Sequence, residues 1–311
     1  MAAAGGTKVV IAAMLANGSI AIAKFVAFLV TGAASMLAES IHSIADTSNQ
    51  GLLLLGGKRA QKVADDRHQF GYGRERYFWA FVVAMVLFAL GGVFSIYEGI
   101  EKIRHPHDID SLGWAIGVLL LATVLEGYAF RTAIVESNKV RGNRTWVEFV
   151  RKSRSPELPV VLLEDAGALI GLVFALTGVG LAQITGDPVW DGIGTLAIGI
   201  LLVAISTLLT IEMKSLLIGE AATPAHVKAI TQAVDSVPSV NRVIDLKTQH
   251  IGPEELLVAG KLEFDRSLTN SQMSDAVDDV ESALRAAVPL EMQIYLEPDL
   301  YESDHSDGPA V

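Results

Sequence analysis

The chain contains no cysteine. A disulfide framework, a thiolate zinc site and a thiol nucleophile are therefore excluded. Charge is thin, with Asp, Glu, Lys and Arg making up 19% of the 311 residues. Basic side chains are scarcest where acidic ones gather. Residues 1–219 hold 18 of each sign, whereas 220–311 hold 6 basic and 17 acidic and so carry the whole net charge of −11. That balance argues against nucleic acid as a partner and separates a neutral first part from a soluble acidic one. An acidic surface attracts cations, although such charge chiefly keeps a domain in solution.

What abounds is apolar: 51% of residues are hydrophobic and the mean hydropathy is +0.41. Six runs, at roughly 8–30, 33–56, 77–100, 112–135, 158–183 and 190–213, have the length that crosses a ~30 Å hydrocarbon core. They predict an α-helical polytopic domain of six spans over residues 1–214, embedded in a lipid bilayer. The first run begins at Lys8 without a small-residue cleavage site, which predicts a retained signal anchor rather than a removed signal peptide. Basic residues cluster in the second connection (Lys58, Arg59, Lys62, Arg67, Arg74, Arg76) and in the fourth (Lys139, Arg141, Arg144, Arg151, Lys152, Arg154). By the positive-inside rule both termini face the cytoplasm or its topological equivalent. The membrane expected is a bacterial inner membrane.

Beyond Gly219 the periodicity changes. Thr223 and Pro224 open a predicted helix. Two strands follow, the first with Ile244, Leu246, Thr248 and His250 on one face, then an amphipathic helix and a last strand, "EMQIYLEP". The order αββαβ over 215–300 predicts a small α+β domain of the ferredoxin-like kind. The tail, 301–311, is expected to be disordered.

Within the second run, "AESIHSIAD" carries Glu39, His42 and Asp46, groups that lipid rejects. On a helix they fall within about 60° of one another. His42 and Asp46, four residues apart, offer an imidazole nitrogen and a carboxylate oxygen to one ion, a set that suits zinc and similar divalent metals. The alternative is a polar cluster that only glues helices together. The fifth run adds adjacent Glu164 and Asp165. With span two running inward and span five outward, Asp46 lies roughly 15 Å and Asp165 roughly 10 Å from the inner ends, so the two meet near mid-membrane. Glu39, Glu126, Asn17, Asn49 and Asp191 are candidates for proton relay or supporting hydrogen bonds, and Asp191 equally for capping span six.

"AESIHSIADTSNQ" followed by "DDRHQFGYGRERYFWAF" resembles the cation diffusion facilitator family, most closely the branch containing human zinc transporter nine. The resemblance runs over nearly the whole chain. It implies a homodimer that exports a divalent cation, usually zinc, in exchange for protons, with the metal as cargo and no prosthetic group. It implies further that His42 and Asp46 pair with ligands on span five. There the family's His-x-x-x-Asp aligns with Val161 and Asp165, so the histidine is missing and Glu164 is its expected replacement. More oxygen ligands favour harder ions, which makes manganese the alternative cargo. Asp65 and His68 match a secondary metal site of some relatives, with Tyr72 in place of its second histidine. Lys261 and Leu296 stand where some relatives have metal-binding histidines. His250 is a candidate ligand there or a core residue, and His105 and His107 are outer-loop residues able to hold metal loosely.

Two rival classes remain. An intramembrane metallohydrolase needs a motif such as His-Glu-x-x-His, and the sequence has neither that motif nor a second intramembrane histidine. A membrane scaffold does not account for carboxylates on two facing spans.

Overall fold

The computed structural model describes residues 2–31, 34–106 and 112–301. The chain divides into two compact units, one comprising the residues up to Lys62 with Glu75–Lys214, the other Val63–Arg74 with Ser215 onward.

The first unit is helical. Its elements are α1 (Ala2–Thr31), α2 (Ala34–Ala60), α3 (Glu75–Val86), α4 (Phe94–Arg104), α5 (Leu112–Arg141), the short α6 (Trp146–Lys152), α7 (Glu157–Thr185) and α8 (Val189–Ile218). A π-helical segment, Leu87–Val93, joins α3 to α4 and contains the pair Gly91 and Gly92. Such a widened turn marks a local interruption of the hydrogen-bond ladder. Among the described residues four stretches are long and apolar enough to cross a membrane: Glu75–Arg104, Ile116–Arg141, Glu157–Thr185 and Val189–Ile218. α1 contributes a shorter apolar stretch, Val9–Ala23.

α1 packs along α2, α5 and α7, while α5 packs on α7 and α2 on α3. This arrangement gathers the helices that carry the polar residues. α8 closes against α4 and α7 where glycine lets backbones meet. A Cβ on Gly199 would lie 2.6 Å from the Ile96 nitrogen, and one on Gly194 2.9 Å from the Phe174 oxygen.

The second unit is two-layered. α9 (Pro224–Asp235) and α10 (Asn270–Ala287) cover a sheet of β1 (Val240–Gly252), β2 (Glu255–Phe264) and β3 (Glu291–Pro298). The strand order is β1-β2-β3, with β1 antiparallel and β3 parallel to β2. Thr223 caps α9 by accepting from the His226 amide, and Pro224 occupies the first turn. Every second residue of β2 is buried, and Leu256, Val258, Leu262 and Phe264 meet Ile230, Val234, Val280 and Leu284 of the helices.

Two expectations change here. Strict alternation put Ile244 with Leu246 on one face of β1. A bulge between Val243 and Asp245 instead sets Val243 opposite Leu262, so Val243 joins Leu246 against the helices. The connection 63–74 falls within the expected membrane domain, 1–214. It groups with the second unit, where the Phe70 ring stands edge-on to Tyr295 at 6.4 Å. Gly73 presses so closely on Gly252 that a Cβ would come within 2.9 Å of its Cα.

Candidate metal-transport site

α7 begins with Glu157, whose negative charge suits a helix N-terminus. Two turns further, Glu164 and Asp165 are buried, with Asp165 only 1% exposed. Adjacent residues on a helix diverge by 100°, so the two carboxylates meet different neighbours. Glu164 turns to α2. Its Oε1 accepts from Asn49 Nδ2 at 3.1 Å and its Oε2 from Gln50 Nε2 at 3.0 Å. Asp165 Oδ2 is buried and accepts no hydrogen bond among the described residues. Such an oxygen is costly in a dry interior, and it marks a position where a proton, water or cation belongs.

Asp46, half-buried on α2, and Glu126, buried on α5, lie within electrostatic reach of both Glu164 and Asp165. Four carboxylates from three helices thus lie within one another's electrostatic reach. Asn17 of α1 is buried at the same level, since neighbouring Gly18 faces Thr47 across the α1–α2 contact at 3.9 Å from a notional Cβ. Val161, where the resemblance implies a histidine in relatives, is fully buried one turn before Asp165. The side chains of Glu39 and His42 lie outside the described residues, as does His107. Among the described residues no three His, Asp or Glu side chains form a closed metal-binding group.

Other candidates go elsewhere. Asp191 is not a supporting residue of this cluster. It pairs with Lys102 at 3.0 Å, at the start of α8, level with Gly178 of α7 and so roughly 20 Å of helix rise from Asp165. Arg131, five residues after Glu126 on α5, is exposed. His105 lies beside Glu101, 2.8 Å away, at the end of α4.

In the second unit Asp65 is committed to its own loop. It accepts from Tyr72 Oη at 2.7 Å and from the amides of His68 and Arg67 at 2.8 and 3.0 Å. The Tyr72 hydroxyl, foremost, holds the Asp65 carboxyl below the usual carboxylate range. The His68 and Tyr72 rings stack at 4.4 Å. His250 is buried in β1 with Nδ1 3.3 Å from the Gly252 oxygen, as a core histidine is. Lys261 bonds to Glu297 at 3.1 Å and Asp299 at 3.4 Å, and the Glu297 bond raises the pKa of the lysine.

Gln50 escaped the sequence reading. Its only signal is spacing: 46 and 50 are four apart, which continues the stripe of 39, 42 and 46.

Comparison with known proteins agrees with this layout. Residues 10–218 match the cation efflux transmembrane domain and 222–299 the cation efflux protein cytoplasmic domain. The human protein named proton-coupled zinc antiporter SLC30A9, mitochondrial, is 35% identical over 275 residues, covering 86% of this chain and 48% of the relative. The mouse protein of the same name is 36% identical over 273 residues, with the same coverage of each. Metal tolerance protein C4 of Arabidopsis thaliana is 26% identical over 74% of this chain and 50% of its own. The chain therefore spans about half the length of the curated relatives it matches. With both parts matched in order, the chain belongs to the cation efflux family and is an integral membrane protein.

Proposed function

We propose that this protein is a secondary transporter that moves a divalent cation, with zinc as the main cargo, against protons by alternating access. The observation that carries the reading is the buried Asp165 carboxylate, with an unpartnered oxygen, among Asp46, Glu126 and Glu164 on facing helices. A transport site needs ligands that are strong when ionised and that exchange metal for protons, and buried carboxylates provide this. His42 and Asp46 of α2, Asp165 and Glu164 of α7 form the proposed ligand set, and Glu126, Asn17 and Asn49 support it. His42 is the coupling group, because imidazole changes charge near neutral pH.

In this reading α1, α2, the α3–α4 helix, α5, α7 and α8 are six spans. The second unit is a ferredoxin-like domain through which the chain forms a homodimer. The boundaries are 1–214 and 215–300, with 63–74 riding on the second domain. The names of the vertebrate relatives supply zinc and protons and place those proteins in mitochondria. They lend no support to a bacterial inner membrane. A manganese carrier is the second reading, favoured by the oxygen-rich cluster and by Val161 in place of an imidazole.

The test is flux into proteoliposomes holding a zinc-sensitive dye and a pH dye. Metal movement coupled to opposite proton movement, absent in Asp165→Ala, is expected. Transport by Asp165→Ala at the wild-type rate would sink the site.

A further inference from the structure

Gln50, fully buried on α2, holds a carboxylate of the cluster. Gln50 is 0% and Asn49 2% exposed, so neither carboxamide has water to fall back on. Each spends its NH2 group on a different oxygen of Glu164. Each also keeps a buried carbonyl oxygen, Gln50 Oε1 and Asn49 Oδ1, that accepts nothing among the described residues. Apolar side chains of similar size would fill this space without leaving such oxygens behind. The arrangement therefore serves Glu164 rather than packing.

We infer that Gln50, together with Asn49, is a positioning residue that sets cation selectivity by holding Glu164 to one-oxygen ligation. A carboxylate binds a cation through one oxygen or chelates it through both. With a separate carboxamide on each oxygen, one of the two lone pairs of each is already engaged, so chelation would use the last lone pair on both and is disfavoured against one-oxygen ligation. The clamp therefore keeps the coordination number low. Low, tetrahedral coordination suits zinc, whereas six-coordinate oxygen shells suit manganese. The clamp makes up, in geometry, for the zinc preference that an imidazole at position 161 would supply and that Val161 lacks. The two carbonyl oxygens are then placed to accept from water carried in by the ion.

This rests on the proposed transport site, and the test separates the two. Zinc and manganese uptake are measured for the full chain in proteoliposomes, as KM and maximal rate. Gln50→Met keeps length and removes both polar atoms. The ratio of manganese KM to zinc KM should fall about tenfold, the lower end for a hydrogen bond to a charged group, with maximal rates changed less. In a Glu164→Gln background, where the side chain has one carbonyl oxygen and cannot chelate, Gln50→Met should leave the ratio unmoved. Gln50→Asn, which retains the carboxamide one methylene short, should restore part of the wild-type ratio and serves if the methionine variant does not fold. An unchanged ratio in a folded, transporting Gln50→Met, or in Gln50→Asn where only that variant folds, overturns the inference while Asp165→Ala stays inactive. Equal loss for both metals overturns it too, since a merely structural role predicts that. Active Asp165→Ala would instead mean that the transport site itself is misassigned.

Discussion

Arg76 of α3 grips Glu157 of α7 with two parallel hydrogen bonds, Nε to Oε1 and Nη2 to Oε2, the second at 2.9 Å. The side chains are 11% and 9% exposed, so this is a buried ion pair. It fastens α3 to α7 two turns before Glu164 and thereby fixes the height of the carboxylates. Breaking such a pair on one side leaves an uncompensated charge, which costs about 3–5 kcal/mol, whereas replacing both partners with apolar groups is often neutral. Arg76→Ala should therefore lower the thermal unfolding midpoint in detergent far more than Arg76→Met with Glu157→Met. Equal losses would show that removing one partner leaves no uncompensated buried charge behind.

Asp46→Ala should abolish transport without unfolding the protein. Asp46 is half-buried on the polar stripe of α2, so its removal deletes a ligand rather than core packing. The expected loss exceeds the roughly 10–100-fold seen when a group that only supports a ligand is removed. Size-exclusion elution in detergent checks folding, and zinc flux checks function. A folded variant with wild-type flux removes Asp46 from the ligand set.

Much of this was legible in the sequence, and the failures have physical causes. The stripe of charged residues in α2 stood out because lipid makes charge expensive, so Asp46 and the pair at 164 and 165 announced themselves. Gln50 did not, since a neutral amide carries no such signal until its partner is known. Of the two readings of Asp191, its place in the first turn of α8 matches the capping one, while its pairing with Lys102 joins residues distant in sequence, which helical spacing cannot reveal. The bulge in β1 defeated alternation, as bulges do, by shifting the pleat one residue. Residues 63–74 read as a connection between spans, while their seat on the sheet depends on Phe70 meeting Tyr295 and Gly73 meeting Gly252.

Tyr72 should govern the acidity of Asp65. The hydroxyl is the largest cause of the lowered carboxyl pKa, so Tyr72→Phe should raise it toward the usual range. A carboxyl whose folded pKa is depressed stabilises the fold above its unfolded pKa, and that contribution is lost as pH falls through the folded value. The loop 63–74 should accordingly loosen at higher pH in Tyr72→Phe than in the wild type. Carbon-detected NMR of the Asp65 carboxyl follows this directly, and coincident titration curves would refute it.

Lys261 should keep divalent metal off the β2–β3 edge. Its ammonium is held between Glu297 and Asp299, so the carboxylates a metal needs are already neutralised. With the transport site disabled by Asp165→Ala, calorimetry of the full chain should show no tight zinc binding. Lys261→His in that background frees both carboxylates and adds an imidazole, and should create a measurable site. Submicromolar stoichiometric binding before the histidine is introduced would refute the prediction.

Glu164 should decide between zinc and manganese. Its carboxylate adds an oxygen ligand where relatives are expected to have an imidazole, one turn away at Val161, and harder ions prefer the oxygen. Glu164→Gln keeps the volume and removes the charge. It also presents an NH2 group to one of two donors, Asn49 Nδ2 and Gln50 Nε2. That clash resolves if Gln50 turns its carboxamide over, because Oε1 has no other hydrogen bond to surrender among the described residues. The variant should therefore fold, transport both ions more slowly, and lose manganese flux more than zinc flux. Val161→His with Glu164→Ser should move selectivity further toward zinc. Val161 is fully buried, so the larger ring strains the packing by about 1–3 kcal/mol and stability must be followed alongside. The measurement is paired zinc and manganese flux on folded protein. If Glu164→Gln leaves both fluxes and their ratio at wild-type values, Glu164 is a packing partner of α2 and not part of the ion's shell.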